Sequence, residues 1–430
     1  MSPPLSIIAN GVNSPELNWR QIILSLSTAN FIFKSYMNLC QFGVLRRAKP
    51  PKALEADATQ DTYDKSRAYA LDKIKHTIAL NIWLYCEDLV YIKFNVYLAL
   101  WQAPVRASSI LGFATGEITQ SVILVVIYSI ITQTLMAFPL KYYRGSNNPT
   151  FSQWLMNELK ENIILLVLVS LLTAVTLKVV ELAGDLFIWY TWLFIEIIFV
   201  AVKILYPYLI LPLFHKSKPL DSGKLKDFID RLAHEKKFPL NSVNVIDGSK
   251  NSSHSNAFFT GLPWSKHIFL HDTMVDKFGV EEAAAVLVHE IGHWELNHTL
   301  IVTVYEQFQL LLILFVFSLF SNNPYLYSSF GFGNHTPACV KFMILCYFLT
   351  PMNCALQFLS NVLTRKNEYE ADAYVVSLNY EEHIAAALIK LNKDNKAVLD
   401  THWLYSTYHH SHPLLQERLK AIKHLSSKEK

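Results

Sequence analysis

Seven runs of predominantly apolar residues constrain this chain more than any other feature of its sequence. The hydrocarbon core of a bilayer is about 30 Å thick, so a helix needs about 20 apolar residues to cross it. Inside a bilayer, only a helix or a closed barrel satisfies all of its own backbone hydrogen bonds. The sequence therefore predicts a mostly α integral membrane protein, with spans at residues 22–45, 77–101, 120–138, 163–180, 187–214, 299–320 and 338–362.

The composition agrees with this prediction. Hydrophobic residues make up 52% of the 430 residues and charged residues only 17%, which is unusual for a soluble enzyme. A net charge of +3 gives no reason to expect nucleic acid as a partner. The five cysteines form no C-x-x-C pair and lie mostly in apolar runs, so we interpret them as small core residues.

Acidic residues interrupt three of the predicted spans, and lysines accompany them in two of these. Because a charge facing lipid is costly, we expect these side chains to face protein or a water-filled space. They are Glu87, Asp88, Lys93, Glu196, Lys203 and Glu306.

The distribution of lysine and arginine orients the spans. Residues 1–19 and 321–337 contain neither, whereas residues 46–75 contain eight. The positive-inside rule then places the long polar segments and the C-terminus in the cytosol, and the N-terminus across the membrane. We predict four segments: 1–214 with helices 1–5 and a cytosolic loop at 46–76, 215–298 as a cytosolic α+β segment, 299–362 with helices 6–7, and a cytosolic segment 363–430.

The 215–298 segment is the one region patterned like soluble protein. Residues 224–237 have helical spacing, and short alternating runs at 242–247, 257–260 and 266–271 predict strands. A helix carrying His289-Glu290-x-x-His293 follows. Two histidines four residues apart share one helix face and can bind one Zn²⁺, with Glu290 beside them as general base for an attacking water. A chance match on a histidine-bearing helix is the alternative.

Two histidines leave zinc without a third protein ligand. Glu368 and Asp372 lie four residues apart on what the absence of Gly and Pro predicts to be one helix from the last span to residue 392. One of them would bind zinc, and the other would hydrogen-bond the outer nitrogen of a ligating histidine. A solvated charged face with Arg365 paired to Glu368 is the alternative. Glu370 points elsewhere on this helix and is left out of the predicted site.

Five stretches together resemble the type I CAAX prenyl protease family of membrane zinc endopeptidases. The resemblance covers nearly the whole chain and is densest from about residue 206 onward. The stretches are HEIGHW-x-x-NH at 289–298, R-x-x-EYEAD at 365–372, HHSHP at 409–413 followed by Glu417-Arg418-Leu419, the run 247–263, and the run 65–73.

The resemblance implies a barrel of seven transmembrane helices around a large water-filled chamber, with a small α+β zinc-peptidase insertion. It implies His289, His293 and Glu368 as zinc ligands, Glu290 as the general base, and Asp372 as a partner of a ligating histidine. Asn256 matches the strand that aligns the substrate by backbone pairing, with an ordinary turn residue as the alternative. His412 and Arg418 match the groups that stabilise the oxyanion, and which of the two does so stays open.

Other polar residues near these motifs are assigned structural roles. His409 and His410 are expected at the surface or in packing, and Trp294, Asn297 and His298 in packing. The sequence departs from the family pattern at His410, where a tyrosine is usual, and in the loop 141–154. That loop bears on the range of substrates.

The resemblance implies cleavage of C-terminal CAAX tripeptides from farnesylated or otherwise prenylated proteins, with an upstream cut as an option. It places the protein in the endoplasmic reticulum membrane, or also the inner nuclear membrane, with the zinc site toward the cytosol. Two alternatives stay open: a prenyl-independent quality-control or translocon-clearing peptidase, and a catalytically silent scaffold. The presence of Glu290 argues against the silent scaffold.

Overall fold

The structure is a computed structural model that describes residues 11–47, 60–110, 116–132, 151–248, 256–333, 335–394 and 400–429. The chain divides into two compact units. Unit 1 comprises Met1–Phe42, Asp72–Phe194 and Phe308–Leu356, and unit 2 comprises Gly43–Leu71, Ile195–Gln307 and Gln357–Lys430. The four-segment division stays a prediction.

Helices dominate the first half of the chain. They are α1 (Trp19–Leu45), α2 (Gln60–Lys93), α3 (Val96–Ile110), α4 (Glu117–Ser129), α5 (Phe151–Ala183), α6 (Phe187–Leu205) and α7 (Leu211–Phe214). A π-helical turn, Tyr206–Ile210, joins the last two and begins with the Tyr206-Pro207 step. A proline removes a backbone donor, so the regular α-helical ladder cannot continue unchanged through this position.

Four helices in the described part of the chain are long and apolar enough to cross a membrane: Asn162–Ala183, Phe187–Ile210, His298–Phe320 and Ala338–Ser377. They coincide with the last four predicted spans, and the multi-pass membrane character is confirmed. The first three predicted spans are helical but fall below that standard. The second is divided, because Asn95 adopts φ +54° between α2 and α3. Of the third, residues 133–138 lie outside the described residues, as does most of the loop 141–154.

Unit 1 has its own core, in which Ile23, Ile92, Leu124 and Phe330 are fully buried. Polar groups are paired within it. The hydroxyl of Ser27 lies 2.6 Å from Asp88 Oδ2, and the Tyr97 and Tyr347 hydroxyls are 3.0 Å apart. The pairing of Asp88 agrees with the prediction that its charge faces protein.

Unit 2 contains a four-stranded sheet in the order β1-β2-β4-β3, with strands β1 (Ser217–Pro219), β2 (Leu240–Ile246), β3 (Ala257–Leu262) and β4 (Ser265–His271). The pair β2–β4 is parallel, and β1–β2 and β3–β4 are antiparallel. Three of these strands and the helix before β2 were predicted, whereas the three-residue β1 was not. Strand β3 lies at one end of the sheet order, so one of its edges faces no other strand of the described residues.

The remaining helices are α8 (Lys224–Glu235), α9 (Asp272–Lys277), α10 (Val280–Glu295), α11 (His298–Phe320), α12 (Pro324–Ser328), α13 (Ala338–Ser377), α14 (Glu381–Asp394), α15 (Trp403–His409) and α16 (Leu415–Glu429). The core of unit 2 includes Ile229, Ile268, Leu287, Val375 and Ile384, which come from α8, β4, α10, α13 and α14. The helix that carries the metal motif is thus packed on several sides.

One predicted helix was too long. The helix expected to reach residue 392 ends at Ser377, and α14 begins at Glu381. Asn379 lies between them with φ +61°. Asparagine adopts the left-handed conformation more readily than other non-glycine residues, so a helix can end there without glycine or proline.

Candidate metal centre

Helix α10 presents the two histidines on one face. Its first turn is held by Glu282, whose Oε2 accepts a hydrogen bond of 2.8 Å from the Gly279 backbone N–H. Residues 283–289 are buried, including His289 at 6% exposure. The Nε2 atoms of His289 and His293 lie 3.1 Å apart, so both rings point at one place.

Glu368 on α13 completes a three-ligand cluster. Its Oε2 lies 3.5 Å from His289 Nε2, and its Oε1 lies 3.4 Å from His293 Nε2. Within the described residues, these three side chains form the group able to hold a metal ion. Zinc bonds of about 2.0–2.1 Å in a tetrahedral arrangement separate neighbouring ligand atoms by about 3.3 Å. The three observed separations therefore fit a metal between them.

A buried carboxylate oxygen of Glu368 that lacks a hydrogen-bond donor among the described residues also indicates a metal site. Glu368 Oε2 is buried and accepts no hydrogen bond from the described residues. Arg418 Nη1 lies 3.1 Å from this oxygen as an ion pair. A buried carboxylate oxygen without a hydrogen bond is costly, and a metal ligand bond would satisfy it.

Gly292 allows the two helices to approach closely enough. A Cβ atom at this position would lie 3.0 Å from the ring of Tyr374, which is on α13 six residues after Glu368. Such a contact is tighter than about nine in ten real Cβ contacts, so the ring would have to shift by a few tenths of an ångström. The glycine in the middle of the HEIGH motif therefore sets the spacing between the histidines and their acidic partner.

The outer nitrogen of His289 meets Asp372, as predicted for one of the two carboxylates. His289 Nδ1 lies 3.1 Å from Asp372 Oδ1, and Asp372 is completely buried. Burial by itself would lower the pKa of His289, but the neighbouring carboxylates of Asp372 and Glu368 raise that pKa to about 9. Without a metal, the charge of this imidazole is thus balanced by carboxylates.

Arg418 faces carboxylates on two sides. Its Nε and Nη2 donate to the two oxygens of Asp372 at 2.8 Å and 2.6 Å, and its Nη1 approaches Glu368. The side chain is 8% exposed. The guanidinium of Arg418 therefore engages the two carboxylates that surround His289.

His412 borders the same centre from an exposed loop. Its Nε2 lies 3.3 Å from Glu368 Oε1, its Nδ1 lies 2.9 Å from Ser411 Oγ, and its side chain is 67% exposed. The loop is held by Arg365, which donates to Glu417 Oε2 at 2.8 Å, while the same oxygen accepts the Leu414 N–H at 2.8 Å. The alternative pairing of Arg365 with Glu368 is therefore wrong. The ion pair between Arg365 and Glu417 was not predicted.

Glu290 lies between two cavities. One, of about 530 Å³, is also lined by Asn256, His289 and the loop 409–415, and the other, of about 560 Å³, by Phe259, His293 and Thr303. Burial raises the pKa of Glu290, and the Glu368 charge adds to this, while the two histidines oppose it. A raised carboxyl pKa suits a group that takes up and returns a proton near neutral pH.

Asn256 is exposed directly before β3 and lines the cavity that contains His289 and Glu290. Its Oδ1 lies 2.9 Å from the Ala257 backbone nitrogen. The edge of β3 that faces no other strand of the described residues begins next to it, which suits pairing with an extended peptide. Residues 249–255 of the preceding motif lie outside the described residues.

Two residues next to the centre, His298 and Glu370, were not predicted as part of the site. His298 Nδ1 lies 2.9 Å from His293 Nδ1, and His298 Nε2 lies 3.2 Å from Glu370 Oε2. The sequence signal was the N-H pair at the end of the HEIGHW stretch, which we interpreted as packing. Glu370 was set aside because it does not share a helix face with Glu368.

Comparisons with known proteins agree with this geometry. Residues 219–426 match the model of peptidase family M48, and residues 41–216 match "CAAX prenyl protease N-terminal, five membrane helices". CAAX prenyl protease 1 of Saccharomyces cerevisiae is 34% identical, with 97% of this chain and 98% of that protein covered. The human CAAX prenyl protease 1 homolog is 31% identical, with 87% and 88% covered.

A solved structure gives the same result. The crystal structure of S. mikatae Ste24p superimposes with a TM-score of 0.85 at 34% identity, covering 94% of this chain and 99% of that one. The mostly helical membrane fold with a small sheet and the metallopeptidase class expected from sequence are thereby confirmed, whereas the seven-helix barrel around a chamber stays a prediction. The chain belongs to the CAAX prenyl protease 1 family, membrane metallopeptidases whose C-terminal part is of peptidase family M48.

Proposed function

We propose that this protein is a zinc endopeptidase that removes the C-terminal tripeptide from prenylated CAAX proteins. The observation that carries the proposal is the cluster of His289, His293 and Glu368, with ligand atoms 3.1–3.5 Å apart and Glu290 beside it. Two imidazoles and one carboxylate are a common ligand set of catalytic zinc and leave a position open for water or substrate. The names of the relatives supply the substrate class.

The roles of the individual residues follow from their surroundings. Zinc held by His289, His293 and Glu368 would act as a Lewis acid and would lower the pKa of water to about 7. Glu290 takes the proton of the attacking water and delivers it to the leaving amine. The exposed His412 donates to the oxyanion, because Arg418 is engaged by Asp372 and Glu368 and holds them in place. The substrate adds a strand to the free edge of β3, beginning at Asn256.

The membrane arrangement is part of the proposal. Seven spans would form a barrel around an intramembrane chamber, with the zinc site toward the cytosol of the endoplasmic reticulum. The family model described as five membrane helices matches residues 41–216, which supports several spans in that part of the chain. Two helices long and apolar enough to cross a membrane, His298–Phe320 and Ala338–Ser377, follow it. A membrane enzyme suits a prenylated substrate, because the lipid can stay in an apolar medium while the peptide enters water.

The test is cleavage of a farnesylated CAAX peptide by the purified full-length protein, with the released tripeptide and the bound zinc both quantified. Glu290→Gln should keep zinc and lose at least about 100-fold in kcat, the lower range for a general base. Glu281→Gln is the matched control, an exposed carboxylate in the first turn of the same helix.

Two outcomes would contradict the proposal. Equal cleavage of farnesylated and unmodified peptides would indicate a prenyl-independent peptidase. Stoichiometric zinc in the wild type without cleavage of either peptide set would indicate a silent scaffold.

A further inference from the structure

The outer nitrogen of His293 opens onto a line of polar side chains that the proposed reaction does not use. His293 Nδ1 lies 2.9 Å from His298 Nδ1, and His298 Nε2 lies 3.2 Å from Glu370 Oε2. Glu370 Oε1 lies 3.5 Å from Lys366 Nζ one turn earlier on α13. His298 is 3% exposed, whereas 44% of the Glu370 side chain is exposed. The line therefore runs from the buried centre to the surface of unit 2.

One arrangement of protons satisfies every link. If His293 binds a metal through Nε2, its ring proton resides on Nδ1, which then donates to His298 Nδ1. His298 must then carry its own proton on Nε2, which donates to Glu370. A carboxylate only accepts, so the line ends there. Both imidazoles are neutral in this arrangement, and each nitrogen has one defined role.

Local backbone geometry puts His298 in this place. Asn297 adopts φ +57°, a left-handed conformation that ends α10 and lets α11 begin at His298. The turn returns the His298 ring to within 5.1 Å of the His293 ring, centre to centre. On α13, Glu370 is about 200° around the helix from Glu368 at 100° per residue, which turns it from the cluster toward His298.

We propose that His298 and Glu370 are positioning residues for the metal centre, holding His293 in its ligating tautomer and ring orientation. This inference rests on the proposed role of His293 as a ligand. Each of the two histidines then has a carboxylate that holds its outer nitrogen. Asp372 contacts His289 directly, and Glu370 acts on His293 through His298. A single helix, α13, then supplies one ligand and the anchors of the other two.

The experiment measures zinc affinity of the purified full-length protein by competition with a chromophoric chelator. Losing such an outer hydrogen bond typically costs 10- to 100-fold in metal affinity. We expect Glu370→Ala to weaken zinc binding by about 10-fold and Glu370→Gln, whose amide oxygen still accepts, by less. Glu281→Ala is the control. The apparent Tm of the metal-free protein should fall moderately in Glu370→Ala, because the buried His298 Nε2 loses its acceptor, so zinc affinity is the deciding readout.

The possible results separate the inference from the proposed function. Wild-type zinc affinity in both Glu370→Ala and His298→Ala would overturn the inference alone. So would a lower metal-free Tm with unchanged zinc affinity, which indicates packing rather than positioning. Wild-type zinc affinity in His293→Ala would overturn the ligand set and the inference together.

Discussion

The guanidinium of Arg418 binds both carboxylate oxygens of Asp372, through Nε at 2.8 Å and Nη2 at 2.6 Å. Both side chains are buried, and Asp372 also contacts His289. Residues 46 positions apart thus form an ion pair that fixes the outer side of His289, the proposed metal ligand. Bidentate pairing requires the planar fork of arginine, so lysine cannot replace it.

Removing one member of this pair should leave the other as an uncompensated buried charge. We expect Arg418→Ala to lower the free energy of unfolding by about 3–5 kcal/mol, and Arg418→Lys to recover only part of that. Thermal unfolding of the detergent-solubilised protein measures the loss. In a double-mutant cycle with Asp372→Asn, strictly additive losses would show that the pair is not coupled.

A side chain at position 292 should separate the histidines from Glu368. Gly292→Val places atoms against the Tyr374 ring, where even a Cβ has only 3.0 Å. We expect zinc content to fall well below one per protein, and Gly292→Ala to have a smaller effect because the ring can shift slightly. Metal analysis of purified protein checks this. Tyr374→Leu, combined with Gly292→Ala, should restore zinc, and no recovery would mean that another contact sets the spacing.

The ion pair between Arg365 and Glu417 should fix the position of the loop that carries His412. Arg365→Ala removes the 2.8 Å bond to Glu417, which also holds the Leu414 N–H. We expect kcat to fall about 10-fold or more with unchanged zinc content, because small misplacements of catalytic groups are costly. Kinetics on a farnesylated peptide measure it. Arg47→Ala is the matched control, since Arg47 lies 3.8 Å from Asp400 in the same unit. Equal losses in both variants would indicate a general effect.

The stability that Glu282 gives to the first turn of α10 should be lost in acid. Burial by itself would raise the pKa of Glu282, but hydrogen bonds from Lys390 at 2.5 Å and from the Gly279 N–H lower it below its ordinary value. A lowered folded-state pKa stabilises the protein above the unfolded pKa of about 4.3, and this stability is lost as the pH falls through the folded value.

Glu282→Gln should therefore reduce stability by about 1 kcal/mol at pH 7 and by progressively less toward pH 3. Apparent Tm values of wild type and Glu282→Gln across that range measure the difference. A Tm difference between the two proteins that stays constant with pH would show that the charge of Glu282 does not cause the stabilisation.

The sequence by itself determined much of this protein because the relevant signals are local. Apolar run length predicted the four long apolar helices, alternation predicted strands β2, β3 and β4, and the four-residue spacing put His289 and His293 on one face. The same four-residue spacing indicated Glu368 and Asp372 as partners of the two histidines. The helix stop at Asn379 was missed because a left-handed asparagine has no strong local signature.

Only the tertiary structure decided which side chains meet across elements. It paired Arg365 with Glu417 instead of Glu368, directed Arg418 to Asp372, and connected Glu370 to His293 through His298. Each contact joins residues from different helices or loops, so it depends on how closely those elements pack. The distance between packed elements depends on features such as Gly292. Its lack of a side chain matters only because Tyr374 of another helix lies opposite it.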